Sequence, residues 1–247
     1  MAIYSGPVST SLRRDGAHHF RHQLADALVA AGPDAPTLCS GWSAADLAAH
    51  LYVRENKPLA LLGIAGAGGR AANQLTESLM RQALRRYGFP GLISRFRAGP
   101  RPLTLWAFQP IDRLGNCLEF FVHLHDVTDA GQHSVAGHRA HSGHGQLGND
   151  RGSHPGEPFH ERLSDEIWQR LGMMAPLLAH ASPVGIQLER LDGPRPARIV
   201  ATSGVPIVTV RGSARQLALW AYGRPAEVQL VGLAEPTRAA QDAVAGR

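Results

Sequence analysis

The chain has 247 residues, 44% of them hydrophobic, with 25 Lys and Arg against 20 Asp and Glu for a formal charge of +5. That apolar content excludes a disordered chain and suffices for one large domain or two small ones, while only two cysteines, Cys39 and Cys117, exclude a disulfide framework. The basic excess gathers at Arg81, Arg85, Arg86, Arg95, Arg97 and Arg101; with few aromatics and no recognition-helix or RNA-binding motif, it reads as a solvated basic face and not as a nucleic-acid surface.

Met1 to Thr10 lack a charged segment followed by an apolar one, so cytoplasmic residence is expected. From Ser11 to Ala31, Phe20, Leu24, Ala27, Leu28 and Ala31 form a helical stripe that Gly32-Pro33 stops. Ser43 is placed to cap a second helix, Ala44 to about Lys57, with Asp46 at its third position; Pro58 ends it. The longest apolar run, Pro58 to Gly68, is too short and glycine-rich to span a bilayer. A third helix is expected over 71–87 and a shorter one around Leu92, Ile93 and Phe96. The prolines between Gly99 and Pro110 favour a loop, after which Asp112 caps a fourth long helix from Arg113 to about Ala130. Four such helices suggest a bundle, whose interior is a common place for metal sites.

From Gly131 to Glu161 the chain turns rich in Gly, Ser and His with almost no aliphatic residues, too little apolar surface to fold alone. His133, His138, His141, His144, His154 and His160 lie here; without cysteines or regular ligand spacing, a flexible connector is favoured over metal storage. Ser164 then caps a helix carrying Ile167, Leu171, Met174 and Leu178. Strands follow at Gly185 to Leu191, Ala197 to Thr202, Val205 to Arg211 and Ala226 to Val231, with a short helix from Ser213 closed by Gly223. The end from Glu235 reads as a frayed helix or a tail. The expected organisation is a metal-binding four-helix bundle over residues 1–130, a His/Gly-rich linker over 131–162, a small α+β domain over 163–232 and a tail over 233–247: mainly α, with α+β at the C-terminal side.

The chemistry-bearing residues are Glu119 and His123, one helical turn apart. Positions four apart lie about 40° around the axis and roughly 6 Å along it, close enough to hold one ion. His50, carried inward by the second helix, supplies a third N/O donor and leaves a position open, as catalytic zinc sites do. Arg54 shares the face of His50. Asn116, Glu119 and His123 form one row, with Cys117, Leu118, Phe121 and Leu124 packing around it. An i,i+4 Glu/His pair is also common on solvated helix faces, so periodicity alone leaves both readings open.

The run Pro33-Asp34-Ala35-Pro36-Thr37-Leu38-Cys39-Ser40-Gly41-Trp42-Ser43, followed by Asp46-Leu47-Ala48-Ala49-His50-Leu51 and Val53-Arg54-Glu55, resembles the N-terminal metal-binding domain of the mycothiol-dependent maleylpyruvate isomerase family, a relative of the DinB-like four-helix bundles. Glu119-Phe120-Phe121-Val122-His123 resembles its second half-motif, and the pattern is closest to an actinobacterial subgroup described only as metal-binding. The resemblance covers residues 11 to 130. It extends less specifically to Val208-Thr209-Val210-Arg211-Gly212, Leu217-Ala218-Leu219-Trp220 and Tyr222-Gly223-Arg224, pieces similar to the small domain that follows the bundle. Where the subgroup more often shows a second histidine and an acidic residue, this chain has Leu124-His125-Asp126.

The resemblance implies that His50, Glu119 and His123 are metal ligands, with zinc the first choice of divalent ion, and that Asp126 can orient a ligating imidazole. It implies a mycothiol-type, low-molecular-weight thiol partner, made nucleophilic at the metal, and an isomerase or transferase reaction on a small anionic substrate. Addition to a conjugated double bond would give an enolate, bond rotation and elimination the isomer, and Arg54 and Arg224 would meet the substrate carboxylates. The competing class is a non-catalytic metal-stabilised binding module, whose fourth metal position would be filled from the protein. Composition and motifs do not fix the oligomeric state.

Overall fold

The computed structural model describes residues 16–57, 69–101, 109–136 and 157–244. Helix α1 (Gly16–Ala31) buries Ala17, Phe20, Leu24, Ala25 and Leu28, a stripe at three- and four-residue spacing. It lies along the later helix α4 (Gln109–Ala136). Helix α2 (Ala44–Asn56) packs against α3 (Gly69–Ala98), and α3 also reaches α1, which closes a mainly apolar four-helix bundle.

Local chemistry sets the ends of these helices. Ser43 Oγ accepts from the Asp46 backbone N–H at 3.2 Å while Asp46 Oδ2 accepts from the Ser43 N–H at 3.0 Å, a reciprocal capping box that starts α2 and so fixes the rotation at which His50 enters the core. Ser43→Ala is expected to cost about 1 kcal/mol, read as a lowered urea midpoint with an unchanged slope. The break expected between residue 87 and the shorter helix around Leu92 falls at Gly88, whose φ of 62° is open to glycine at little cost. Pro90 then sits in the first turn of the following segment, where its missing N–H is not needed. Helix α4 starts at Gln109, before Asp112, and continues through Gly131 to Ala136; a glycine lowers helix stability by about 1 kcal/mol without ending the helix.

Helix α5 (Glu157–Leu178) starts seven residues before Ser164, which therefore lies inside it and caps nothing. Pro158 occupies the first turn, where proline is tolerated, and Leu163, Ile167, Leu171 and Ala175 are buried in one row. Of the connector histidines, His138, His141, His144 and His154 lie outside the described residues, as does the onset of the first helix before Gly16. His160 is exposed on α5.

The C-terminal part carries a four-stranded sheet of β1 (Gly185–Arg190), β2 (Ala197–Thr202), β3 (Ile207–Gly212) and β4 (Gln229–Val231) in the order β2-β1-β3-β4. β1 pairs antiparallel with β2 and parallel with β3; β3 pairs antiparallel with β4. Ile186 and Leu188 stand opposite Val208 and Val210 on one buried face. Helix α6 (Ala214–Ala221) packs on β1 and β3, and α5 packs on β2 and α6. The final strand pairs only from Gln229, and the end of the chain forms helix α7 (Ala234–Val244), with Ala240 and Val244 buried. Helices α5 and α6 both touch α4, which brings the end of α6 beside the bundle. Among the described residues no helix is long and apolar enough to cross a membrane. Within the basic run, Arg81 pairs with Glu77, Arg97 with Asp26, and Arg95 lies 3.9 Å from the Tyr87 ring centroid.

Candidate metal centre

Helices α2 and α4 face one another so that His50, Glu119 and His123 meet. Glu119 Oε1 lies 3.5 Å from His50 Nε2 and 3.3 Å from His123 Nε2, and one donor atom from each residue falls within 4.8 Å of the others. A four-coordinate ion with bonds of about 2.0–2.2 Å separates neighbouring ligands by about 3.3–3.5 Å. The two spacings therefore fit one tetrahedral ion, and two imidazoles with a carboxylate suit zinc, nickel, iron or manganese chemically. Both histidine rings are buried, and the Glu119 side chain is 19% exposed.

The rings are braced on both sides. Trp42, at the end of a tight turn, packs on His50 with ring centroids 5.0 Å apart. That turn is closed by Thr37 N–H on Trp42 C=O at 3.2 Å and Trp42 N–H on Cys39 C=O at 3.0 Å. His123 Nδ1 stands 3.0 Å from Asp126 Oδ2, one turn further along α4, so its Nε2 is turned toward Glu119. Asp126 is fully buried and also takes Arg224 Nε on Oδ1 at 2.8 Å and Arg224 Nη2 on Oδ2 at 2.9 Å. The Cys39 thiol donates to Asp126 Oδ2 at 3.1 Å and lies 3.7 Å from His123 Nδ1. Cys39, His123 and Asp126 form a second donor group, but it uses the opposite nitrogen of His123, so Cys39 does not face the same ion as Glu119.

A polar seam supports the site from beneath. Arg54 Nε lies 3.3 Å from Glu119 Oε1, and its Nη1 donates to Asn116 Oδ1. Asn116 Nδ2 donates to Glu55 Oε1 at 3.0 Å, and Glu55 receives Arg21 through both oxygens at 2.6 and 2.7 Å.

Electrostatics follow from this packing. Burial works against a charged Glu119, yet the Arg54 guanidinium and hydrogen bonds from both histidines hold its carboxyl well below the usual range. Burial pushes His50 down, toward the neutral imidazole. His123 is driven well above its ordinary value despite burial, by Asp126 first and then by Cys39 and Glu119. Asp126 is held low by His123 and Arg224 against its own desolvation. The partners that favour a proton on His123 therefore set protonation against metal binding at that ring.

Of the residues singled out from sequence, His50, Glu119, His123 and Arg54 stand together, and Asp126 stands on His123. Arg224 reaches the same cluster, although its guanidinium bonds Asp126 and the Tyr222 carbonyl at 2.8 Å. Cys39 and Tyr222 were not singled out as site residues. Burial and the Glu119 charge push the Tyr222 phenol up, so it stays protonated beside the site. Neither residue carries a local signal, because each arrives on a turn whose position is set by distant contacts.

Residues 14–108 match the family model described as the mycothiol maleylpyruvate isomerase N-terminal domain; that stretch contains His50 and Arg54 and stops before Glu119. Among solved structures, mycothiol-dependent maleylpyruvate isomerase aligns at 18% identity with a TM-score of 0.45, and a histidine-to-alanine mutant of that enzyme at 16% with 0.47. Each alignment covers 87% of this chain and 90% of the other. No curated protein sequence matches the chain.

Proposed function

We propose, with the mycothiol maleylpyruvate isomerase N-terminal domain carried by residues 14–108 as the premise, that this chain is a metal-dependent, thiol-using isomerase or transferase acting in the cytoplasm on a small anionic substrate. The metal-binding unit is residues 1–130, with the α+β unit of 163–232 docked beside it. The observation that carries the reading is the meeting of His50, Glu119 and His123 at spacings that suit one tetrahedral ion. Zinc is the first candidate, because the set offers two imidazoles and one carboxylate with no fourth protein donor beside it among the described residues.

A divalent ion held there would lower the pKa of a small thiol such as mycothiol and present its thiolate to substrate. The chain's own groups have separate tasks. Glu119 is held ionised by Arg54, ready as an anionic ligand. Asp126 takes the Nδ1 proton of His123 in a hydrogen bond, leaving Nε2 for the ion. Arg54, one turn from His50 and buried against Glu119, gives the site the positive potential that favours an anionic substrate while it keeps hold of Glu119. Trp42 and the buried bundle wall exclude water from the His50 side.

The test is cobalt-loaded protein titrated with mycothiol. A change in the cobalt absorption bands together with thiol-dependent turnover of a maleyl-type diacid is expected. Metal-loaded protein with neither response would overturn the thiol chemistry, and metal removal that unfolds the chain without ending any turnover would favour a metal-stabilised binding module.

A further inference from the structure

Asp126 is the point at which three distant stretches of the chain converge. Its carboxylate receives His123 from its own helix, Cys39 from the turn after α1, and two nitrogens of Arg224 from the end of α6. Its main-chain carbonyl accepts the Leu38 N–H at 3.0 Å, which ties the same turn down a second time. That turn ends in Trp42 against His50. One fully buried carboxylate therefore fixes one histidine directly and braces the stretch that packs on the other.

Arg224 is aimed with equal care. Helix α6 ends in a Schellman motif: Arg224 N–H bonds Leu219 C=O at 2.9 Å, Gly223 N–H bonds Trp220 C=O at 2.9 Å, and Gly223 takes a φ of 71°. The arginine thus leaves the helix in a defined direction, and its Nη1 is pinned back on the Tyr222 carbonyl. Each of its three nitrogens already donates within the protein, and its side chain is only 10% exposed. Such a guanidinium is arranged to hold a protein carboxylate and not to exchange partners with substrate.

We propose that Arg224 is a positioning residue, which seats His123 through Asp126, so that docking of the C-terminal part on α4 and capture of the metal are one coupled equilibrium. The proposal rests on the metal site argued above. It has a distinctive sign. A cation this close to a divalent ion repels it, so if Arg224 acted only as a charge its removal would tighten metal binding. A positioning role requires weaker binding, because Asp126 loses the fork that fixes it and His123 loses its orientation. Linkage also requires the reverse effect: metal at His123 must stabilise the seat of Arg224.

The experiment titrates cobalt alone into the full chain and its Arg224→Gln, Arg224→Lys and Arg211→Gln variants. Arg211→Gln removes the same charge from a part-buried pair on the sheet, where Glu189 keeps Arg198 as a second partner. Arg224→Gln is expected to weaken cobalt on the order of 10-fold and to shift its visible bands, Arg224→Lys to weaken it less, and Arg211→Gln to leave it unchanged. In the unaltered chain, cobalt should slow hydrogen exchange at the Gly223 and Arg224 amides, an effect lost in Asp126→Asn. Equal or tighter binding by Arg224→Gln, or exchange at these amides indifferent to cobalt, overturns the coupling and leaves the metal site standing. If the unaltered chain takes no cobalt, the site and the coupling fall together. Should Arg224→Gln not fold, Arg224→Lys and the exchange measurement decide.

Discussion

Glu119→Ala is expected to bind a divalent metal more than roughly 100-fold more weakly than the unaltered chain, beyond what losing a merely supporting group costs. A single oxygen, Glu119 Oε1, lies within 3.5 Å of His50 Nε2, His123 Nε2 and Arg54 Nε. Removing it takes away the anionic donor and leaves the Arg54 cation facing the vacated corner, where it opposes an incoming ion. His50→Ala should also lose stoichiometric metal, but it leaves the Glu119 and Arg54 pair intact. Both are expected to fail in equilibrium dialysis with metal analysis and to lower the metal-free urea midpoint, His50→Ala through the cavity left under Trp42 and Glu119→Ala through the stranded Arg54 cation. Glu119→Gln keeps the shape and removes the charge, and should bind between the two extremes. Stoichiometric metal retained by both alanine variants would remove the three-donor site.

That site was partly legible in the sequence because two of its determinants are local. The 3.6-residue period places Glu119 and His123 on one face, and the Ser43 and Asp46 box fixes where α2 starts and hence where His50 points. The strands were legible for a similar reason: Val208 and Val210 alternate with Thr209 and Arg211, as a sheet buried on one face demands. Arg224 was expected to meet a substrate carboxylate, and within the protein it bonds Asp126. Its direction depends on the Schellman end of α6 and on α6 lying against α4, and neither is written in neighbouring residues. Cys39 reaches Asp126 only because Leu38 is anchored to an α4 carbonyl 88 positions away in the chain, a contact without periodicity. The helix ends expected at Ser164 and Asp112 were misplaced because a capping residue type signals a start only when the preceding residues cannot be helical, and here they can.

Glu55→Ala is expected to destabilise the chain by about 3–5 kcal/mol in urea denaturation, since it strands one member of a buried ion pair. Arg21 is 5% exposed and Glu55 1%. The guanidinium binds both Glu55 oxygens and the Phe96 carbonyl at 2.9 Å, and lies 5.0 and 4.7 Å from the Phe96 and Phe120 ring centroids. After the substitution the aromatic faces and the Phe96 carbonyl do not replace the carboxylate charge opposite a buried cation. Replacing both members by methionine should recover much of the loss, because the desolvation of two charges disappears with them. Recovery should stop short by about 1–3 kcal/mol, for Asn116 Nδ2 also donates to Glu55 and would be left without that acceptor. The same bond ties stability to the site: Asn116 holds Arg54, and Arg54 holds Glu119. Loss of Glu55 removes one of the bonds that orient the Asn116 amide under Arg54, so metal affinity should fall along with stability in Glu55→Ala and stay low in the double variant even where stability returns. A loss below about 1 kcal/mol in Glu55→Ala, or metal affinity that simply tracks stability across these variants, would break the link between the buried seam and the metal centre.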